Sequence, residues 1–383
     1  MKTKQKIRIL YGLEAASGGA LKHLIYLVTY LDKTHFEISV IISPNRPDTK
    51  KSEIEKLKQS GVNVIEINMG RSFNLVKDMY AIYKVYRNLK NSKYDIVHAH
   101  SSKAGFVFRM AAWLNGNSAV VYTPHCFYFS GQTGLKRQFY CMVEKIMGRI
   151  TSFIIVSNNE NDEALQYNIV RPEKVININN AIKFEEYNLK KEVRSIKDRL
   201  GIMEQSYVIG AVGRLTHQKD LVTYIYTAKE VVKEYKNVVF LIVGDGELKE
   251  QLSDLICKHQ LEDKVMITGY HNEISDVFNI MDVFVSTSLW EGLPYVLLEA
   301  MWFKKPVVAS DLGYNGLVYD KENGFLVKAG QYKDFAKIIK ALLENERLRI
   351  EIGNNGHMLV NRKYDFESFI KGHELFYSKI AGR

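Results

Sequence analysis

The sequence is short of cysteine. Three occur in 383 residues, Cys126, Cys141 and Cys257, with no Cys-x-x-Cys spacing. That excludes a disulfide framework and fits a reducing cytosol, with each cysteine read as a small buried hydrophobe. No run of 18 or more apolar residues occurs, which excludes a spanning helix. The basic start Met1-Lys2-Thr3-Lys4 is not followed by an apolar signal region. No solenoid-period repeat is present. Gly-x-Gly-x-x-Gly is missing, which counts against a nicotinamide dehydrogenase. His-Glu-x-x-His and Cys/His pairing are missing too, so no metal is expected. The basic residues form no recognised nucleic-acid reader.

What is present is an ordinary globular composition, 46% hydrophobic and 25% charged, with a length suited to two domains. The net charge of +10 is unevenly placed. Residues 1–182 hold 25 Lys and Arg against 14 Asp and Glu, whereas 183–383 hold 28 against 29. A basic half beside a neutral half predicts an anionic partner for the first half, such as a phospholipid surface or a phosphorylated acceptor.

Short apolar runs alternate with helical periodicity throughout. Strands are expected at 7–11, 36–42, 62–67, 96–99, 119–123 and 153–156, and again at 208–212, 238–243, 265–268, 283–286, 306–309 and 324–327. Helices are expected between them, including 76–89, 105–114, 221–235, 248–258, 275–280, 295–302 and 333–343, with an amphipathic helix at 366–380. The charged stretch 183–199 reads as a linker. Alternation of this kind predicts two α/β, Rossmann-like domains with parallel sheets, facing across a cleft. The domains span 1–182 and 183–363, with 364–383 as a final helix.

Ligands of such sheets bind beyond the carboxyl ends of the strands. The strand at 208–212 ends in Gly213-Arg214-Leu215-Thr216-His217-Gln218-Lys219. Arg214 and Lys219 there can neutralise a diphosphate and a departing nucleoside diphosphate. Gly244-Asp245-Gly246 and Thr268-Gly269-Tyr270 follow the next two strands, and Tyr270 can border a nucleobase. Trp290-Glu291-Gly292-Leu293-Pro294 leads to Glu299. A helix opening after Pro294 leaves Glu291 on the preceding loop and Glu299 one turn in, beside backbone N–H groups suited to a pyrophosphate. In the first half, Ser17-Gly18-Gly19-Ala20 opens a helix whose N–H groups can approach a phosphate or sugar hydroxyl. His98, His100 and His125 lie near strand ends, His125 best placed to reach the cleft. In 127–149, Phe139, Met142, Val143 and Ile146 share a helical face among Lys136, Arg137, Lys145 and Arg149. That helix reads equally as membrane-interfacial or as core-facing with snorkelling basics.

In this order the motifs resemble retaining glycosyltransferases of the GT-B architecture, family 4, over nearly the whole chain. The resemblance implies that Arg214 and Lys219 hold the donor diphosphate and Glu299 the ribose. It implies that Glu291, with the backbone of Gly292 and Leu293, contacts the donor sugar. Gly244 and Tyr270 join the donor-binding set, Gly19 approaches the diphosphate or acceptor, and His125 lies by the reacting sugar. No metal or other cofactor is implied, and the mechanism is front-face, the leaving phosphate helping to deprotonate the acceptor. A uridine diphosphate sugar is the first expectation for the donor, a guanosine diphosphate sugar the second. A lipid-linked saccharide at the inner membrane face fits the basic half and capsular or exopolysaccharide synthesis, with no nucleic-acid partner. The final helix is implied to pack on the first domain. The text Gly313-Tyr314-Asn315-Gly316-Leu317 departs from the family's Gly-Gly-x-Pro-Glu stretch. That departure keeps open a non-catalytic sugar-nucleotide-binding subunit, and the shared architecture keeps open a sugar-nucleotide epimerase.

Overall fold

A computed structural model describes residues 5–383 except 15–16, 45–48, 50, 71–72, 117, 188–191, 272 and 315. Met1-Lys2-Thr3-Lys4, Ala15-Ala16 of the first loop, 188–191 of the expected linker and Asn315 lie outside the described residues. The chain divides into two compact units, Met1–Asn180 with Glu367–Arg383, and Ala181–Phe366.

The first unit runs β1 (Ile7–Leu13), α1 (Gly18–Tyr30), β2 (Phe36–Ile42), α2 (Lys51–Gln59), β3 (Asn63–Glu66), α3 (Leu75–Asn91) and β4 (Ile96–His100). It continues with α4 (Ser102–Asn115), β5 (Ala119–Thr123), α5 (Gly134–Arg149), β6 (Phe153–Val156), α6 (Asn158–Gln166) and β7 (Val175–Asn177). Its sheet is parallel in the order β3-β2-β1-β4-β5-β6-β7. The second unit runs α7 (Val193–Arg199), β8 (Tyr207–Val212), α8 (Leu221–Val231), β9 (Val238–Val243), α9 (Lys249–Lys258), β10 (Val265–Gly269) and α10 (Ile274–Ile280). Then come β11 (Val283–Ser286), α11 (Tyr295–Trp302), β12 (Val307–Ser310), β13 (Phe325–Val327), α12 (Tyr332–Glu344) and α13 (Glu346–Lys363). Its sheet is parallel in the order β10-β9-β8-β11-β12-β13.

The strands read as continuous apolar runs because helices cover both faces; every residue of β4 and β9 is buried. In each sheet the order reverses beside the first strand, between β1 and β4 and between β8 and β11. Those two reversal points are where loops diverge and a ligand has room.

Three helices escape the apolar pattern. The polar α6 is started by a capping box, Ser157 with Glu160, rather than by an apolar stripe. Within the expected linker, 193–199 is instead helix α7, because Ile196 is buried and Lys197 Nζ donates to the carbonyls of Glu204 and Ser206. In α13, begun by Asn345 accepting from Leu348 N, glycines replace bulky contacts: a Cβ on Gly353 would lie 2.1 Å from the Lys304 carbonyl oxygen.

The last helix, α14 (Phe366–Ile380), belongs from Glu367 onward to the first unit, as do the residues after it to Arg383. Phe369, Ile370, His373, Phe376 and Tyr377 are its buried face, with Phe376 edge-on to Phe153 at 5.3 Å.

Candidate functional site

In the second unit the loops after β8 and β11 flank the reversal point. Lys219 comes from the first loop and Glu291 from the second, and Lys219 Nζ meets Glu291 Oε1 at 2.5 Å. Both side chains are largely shielded from water, which strengthens their attraction relative to a surface pair. Glu291 also accepts from Ser288 Oγ at 2.9 Å and from Gln218 Nε2 at 3.3 Å, and Gln218 Nε2 reaches the Trp290 carbonyl at 2.9 Å. Leu289 N donates to the Gln218 carbonyl, and Thr287 Oγ1 to the carbonyls of Lys219 and Asp220. The carboxylate is thus held by groups from both loops, and the ammonium by the carboxylate, before any ligand arrives. A small pocket beside them is lined by Gly213, Lys219, Ser286, Thr287 and Ser288.

Arg214 is half-buried on the same loop. Backbone bonds hold that loop against the next: Gly213 N to Val243 O, Leu215 N to Asp245 O and Leu248 N to Leu215 O. The approach is so close that a Cβ on Gly244 would lie 1.9 Å from the Gly213 carbonyl oxygen. Gly244 is therefore required by backbone packing, whatever it does for a ligand. Tyr270, just past β10, is exposed.

Helix α11 begins at Tyr295 with Pro294 as its N-cap. Glu291, Gly292 and Leu293 lie on the loop before it, and Glu299 is buried one turn in, accepting from Tyr187 Oη at 2.6 Å. Gln218, Ser288 and Tyr187 have no assigned role in the sequence reading. Gln218 lies between Arg214 and Lys219 and Ser288 two residues before Trp290, but nothing local marks Tyr187 as the partner of a residue more than 100 positions away.

In the first unit, Gly18 and Gly19 form the exposed start of α1, whose first turn carries no acidic residue. His125 follows β5 with φ +51°, and Cys126 follows it with φ +82°. Two successive left-handed non-glycine residues are costly, and Cys126 N is held by Glu160 Oε1 at 2.5 Å. His125 Nε2 meets His100 Nδ1 at 3.0 Å, and their rings stack at 5.2 Å. His23 from α1 stands edge-on to His125 at 4.8 Å, its Nδ1 3.0 Å from Asn180 Oδ1. His98 Nδ1 lies 2.7 Å from Tyr377 Oη, and His98 Nε2 lies 2.9 Å from Thr123 Oγ1. His373 packs on His23 at 5.6 Å.

Burial disfavours the charged form of each ring. His125 is pushed down to about 3, first by burial and then by His373. His373 is pushed down to about 4 by burial, against its bond to the Phe369 carbonyl. His23, His98 and His100 are driven well below the usual histidine range, again chiefly by burial. The cluster is neutral at pH 7.

Helix α5 corrects the core-facing alternative. Its buried face is Cys141, Glu144, Met147 and Gly148, with Glu144 bonded to Arg109 at 2.9 Å and to Tyr122 Oη at 3.2 Å. The apolar residues Leu135, Phe139, Met142 and Ile146 face outward. On α3, Leu75, Val76, Met79, Tyr80 and Tyr83 are likewise exposed, while Ala81, Val85 and Leu89 enter the same core cluster as Cys141.

The family model described as Glycosyltransferase Family 4 matches residues 17–186, and that described as Glycosyl transferases group 1 matches 192–358. The chain is 32% identical over 341 residues to the UDP-Gal:alpha-D-GlcNAc-diphosphoundecaprenol alpha-1,3-galactosyltransferase of Escherichia coli, covering 86% of each chain. It is 27% identical over 345 residues to the capsular polysaccharide biosynthesis glycosyltransferase CapM of Staphylococcus aureus, covering 88% of each. Among solved structures it is similar to Anabaena HepE in complex with UDP and glucose, at a TM-score of 0.83 and 23% identity over 97% of this chain and 100% of that one. It is also similar to WaaG, a glycosyltransferase involved in lipopolysaccharide biosynthesis, at a TM-score of 0.76 and 16% identity over 98% and 100%. With its two parallel sheets and its loop-borne Lys219–Glu291 pair, the chain belongs to glycosyltransferase family 4, has the GT-B fold and is a glycosyltransferase.

Proposed function

We propose that the chain transfers a hexose-type sugar, with retained configuration, from a nucleoside diphosphate donor to a lipid-linked saccharide during cell-surface polysaccharide synthesis. The observation that carries this is the Lys219–Glu291 pair at the carboxyl ends flanking the β8/β11 reversal. A cation there suits the leaving diphosphate, and Arg214 on the same loop adds a second charge. Glu291, with Gly292 and Leu293, suits the sugar hydroxyls, and Glu299 with Tyr187 suits the ribose. The acceptor oxygen forms its bond to the anomeric carbon as the bond to the diphosphate breaks, and a departing phosphate oxygen takes the acceptor proton. Neither glutamate then needs to move a proton. In the first unit, Gly19 and His125 serve the diphosphate or acceptor and the reacting sugar.

Uridine diphosphate is the favoured nucleotide, supported by a relative named for UDP-Gal and a neighbour solved with UDP, and guanosine diphosphate is second. The acceptor reading is supported by a relative named for a diphosphoundecaprenol substrate. Peripheral docking at the inner membrane face is supported by the outward apolar residues of α3 and α5. Exposed Lys77, Lys84, Arg87, Lys90, Lys136, Lys145 and Arg149 on the same helices suit anionic headgroups. No described helix is long and apolar enough to cross a membrane.

A screen of nucleotide sugars with the purified chain tests the reading. Turnover of one donor, dependent on acceptor, is expected. No turnover of any donor would favour a non-catalytic subunit, and conversion of a donor without acceptor would favour an epimerase.

A further inference from the structure

Three nitrogens of the first unit's histidine cluster are not explained by hydrogen bonding. Among the described residues, His23 Nε2, His100 Nε2 and His373 Nε2 are buried and have no hydrogen-bond partner, and of these His23 Nε2 is the one aimed at the other rings' lone pairs in the group below. A buried nitrogen left without a partner forfeits the hydrogen bond it had in water, so such an atom invites a ligand. Their rings stand with His125 in a group whose ligand nitrogens, one per residue, all lie within 4.8 Å of one another.

The tautomer of His23 can be assigned. Its Nδ1 faces the amide oxygen of Asn180, which only accepts, so Nδ1 carries the proton and Nε2 presents a bare lone pair. A ring whose far nitrogen donates to an oxygen is the usual arrangement of a metal-bound histidine. In His100 the nitrogen facing the group is Nδ1, not the unpartnered Nε2, and it already stands 3.0 Å from His125 Nε2. Two imidazole nitrogens on one tetrahedral Zn²⁺ ion stand about 3.3 Å apart, so they need only open slightly. His125 is the partly exposed member and gives a path in, leaving a fourth position for water.

We propose that His23, His100 and His125 bind one Zn²⁺ ion, through one nitrogen each, and that occupancy withdraws His125 from the reaction. The binding claim stands on geometry alone. The inhibitory claim rests on the role given to His125 under the proposed function.

The test uses full-length, tag-free protein stripped with chelator. Co²⁺ is titrated and followed by its visible absorption, and Zn²⁺ is measured by equilibrium dialysis. One ion per chain is expected, with the intense bands of low-coordinate Co²⁺. His23→Gln should weaken binding by at least about 100-fold, and Asn180→Ala, which removes only the orienting oxygen, by about 10–100-fold. The exposed His35→Gln should leave binding unchanged. Should His23→Gln fail to fold by circular dichroism, Asn180→Ala decides. Binding far below one ion per chain, or equal binding by wild type and the two cluster variants, would overturn the site. Donor turnover by wild type should fall as Zn²⁺ is added and recover with chelator. Turnover indifferent to bound Zn²⁺ would overturn the inhibitory claim while the dialysis result stands. Absence of all turnover would instead count against the proposed function.

Discussion

Two sheets of one topology carry opposite electrostatic solutions at the same place. At the β8/β11 reversal the second unit sets a cation against an anion, Lys219 and Glu291 at 2.5 Å. At the β1/β4 reversal the first unit gathers neutral rings: His100 closes β4, with His23 and His125 packed on it. The exteriors differ as well. Residues 1–182 carry the whole positive excess, and there α3 and α5 turn apolar side chains outward. The difference teaches that topology supplies the position and the loop residues supply the chemistry. A fixed ion pair suits a ligand with its own charge, whereas a neutral cluster suits hydroxyls and one reacting centre.

The sharpest way to separate the units is to remove the pair. Lys219→Ala or Glu291→Gln should lower turnover by about 100- to 1,000-fold, the scale of a lost charge-stabilising group. Hydrogen exchange across β1, β4 and β5 should be unaltered. Loss of protection in the first unit would show that the two halves are not independent in this respect.

Acid should break the comparison in the opposite direction. The clustered histidines titrate near 6.5 when unfolded, but His125 near 3 and His373 near 4 when folded. Below pH 6.5 the unfolded chain binds protons that the folded chain refuses. Stability is therefore complete above about 6.5 and falls as pH drops toward 3. Hydrogen exchange from pH 7.5 to 4.5 should show the first unit opening before the second. Simultaneous loss in both would contradict the assignment.

How much of this was legible in the sequence follows from where each signal lies. The residues of the second unit's candidate site lie in two short strings, 213–219 and 290–299, so residue types and spacing could name them. The helix after Pro294 and the position of Glu299 one turn in follow from the same few residues, whereas the burial of Glu299 does not. The histidine cluster is not local. His373 and Tyr377 arrive from the end of the chain, so no spacing reveals their contact with His23 and His98. Periodicity found the apolar face of α5 but not its direction, because Glu144 faces inward only when Arg109 and Tyr122 are there to receive it. Helices α6 and α13 depend on caps and small residues, which an apolar count passes over.

Vesicle binding sharpens the exterior contrast. Each large apolar side chain that enters lipid contributes up to about 1.5–3 kcal/mol. Phe139→Ser with Met142→Ser should lower binding to anionic vesicles at least about tenfold, and raised salt should lower it further. Equal binding by wild type and the variant would remove α5 from the docking surface.

The smallest expected effect is a cap. Asn345→Ala should cost the second unit about 1 kcal/mol, seen as a lower denaturation midpoint, without changing vesicle binding.

The most direct single measurement is acceptor-dependent turnover of a uridine diphosphate sugar by wild type and by Glu291→Gln at equal folded concentration. Wild type should consume the donor, and Glu291→Gln should lose about 100-fold or more. Equal turnover by the two would contradict the role of the Lys219–Glu291 pair.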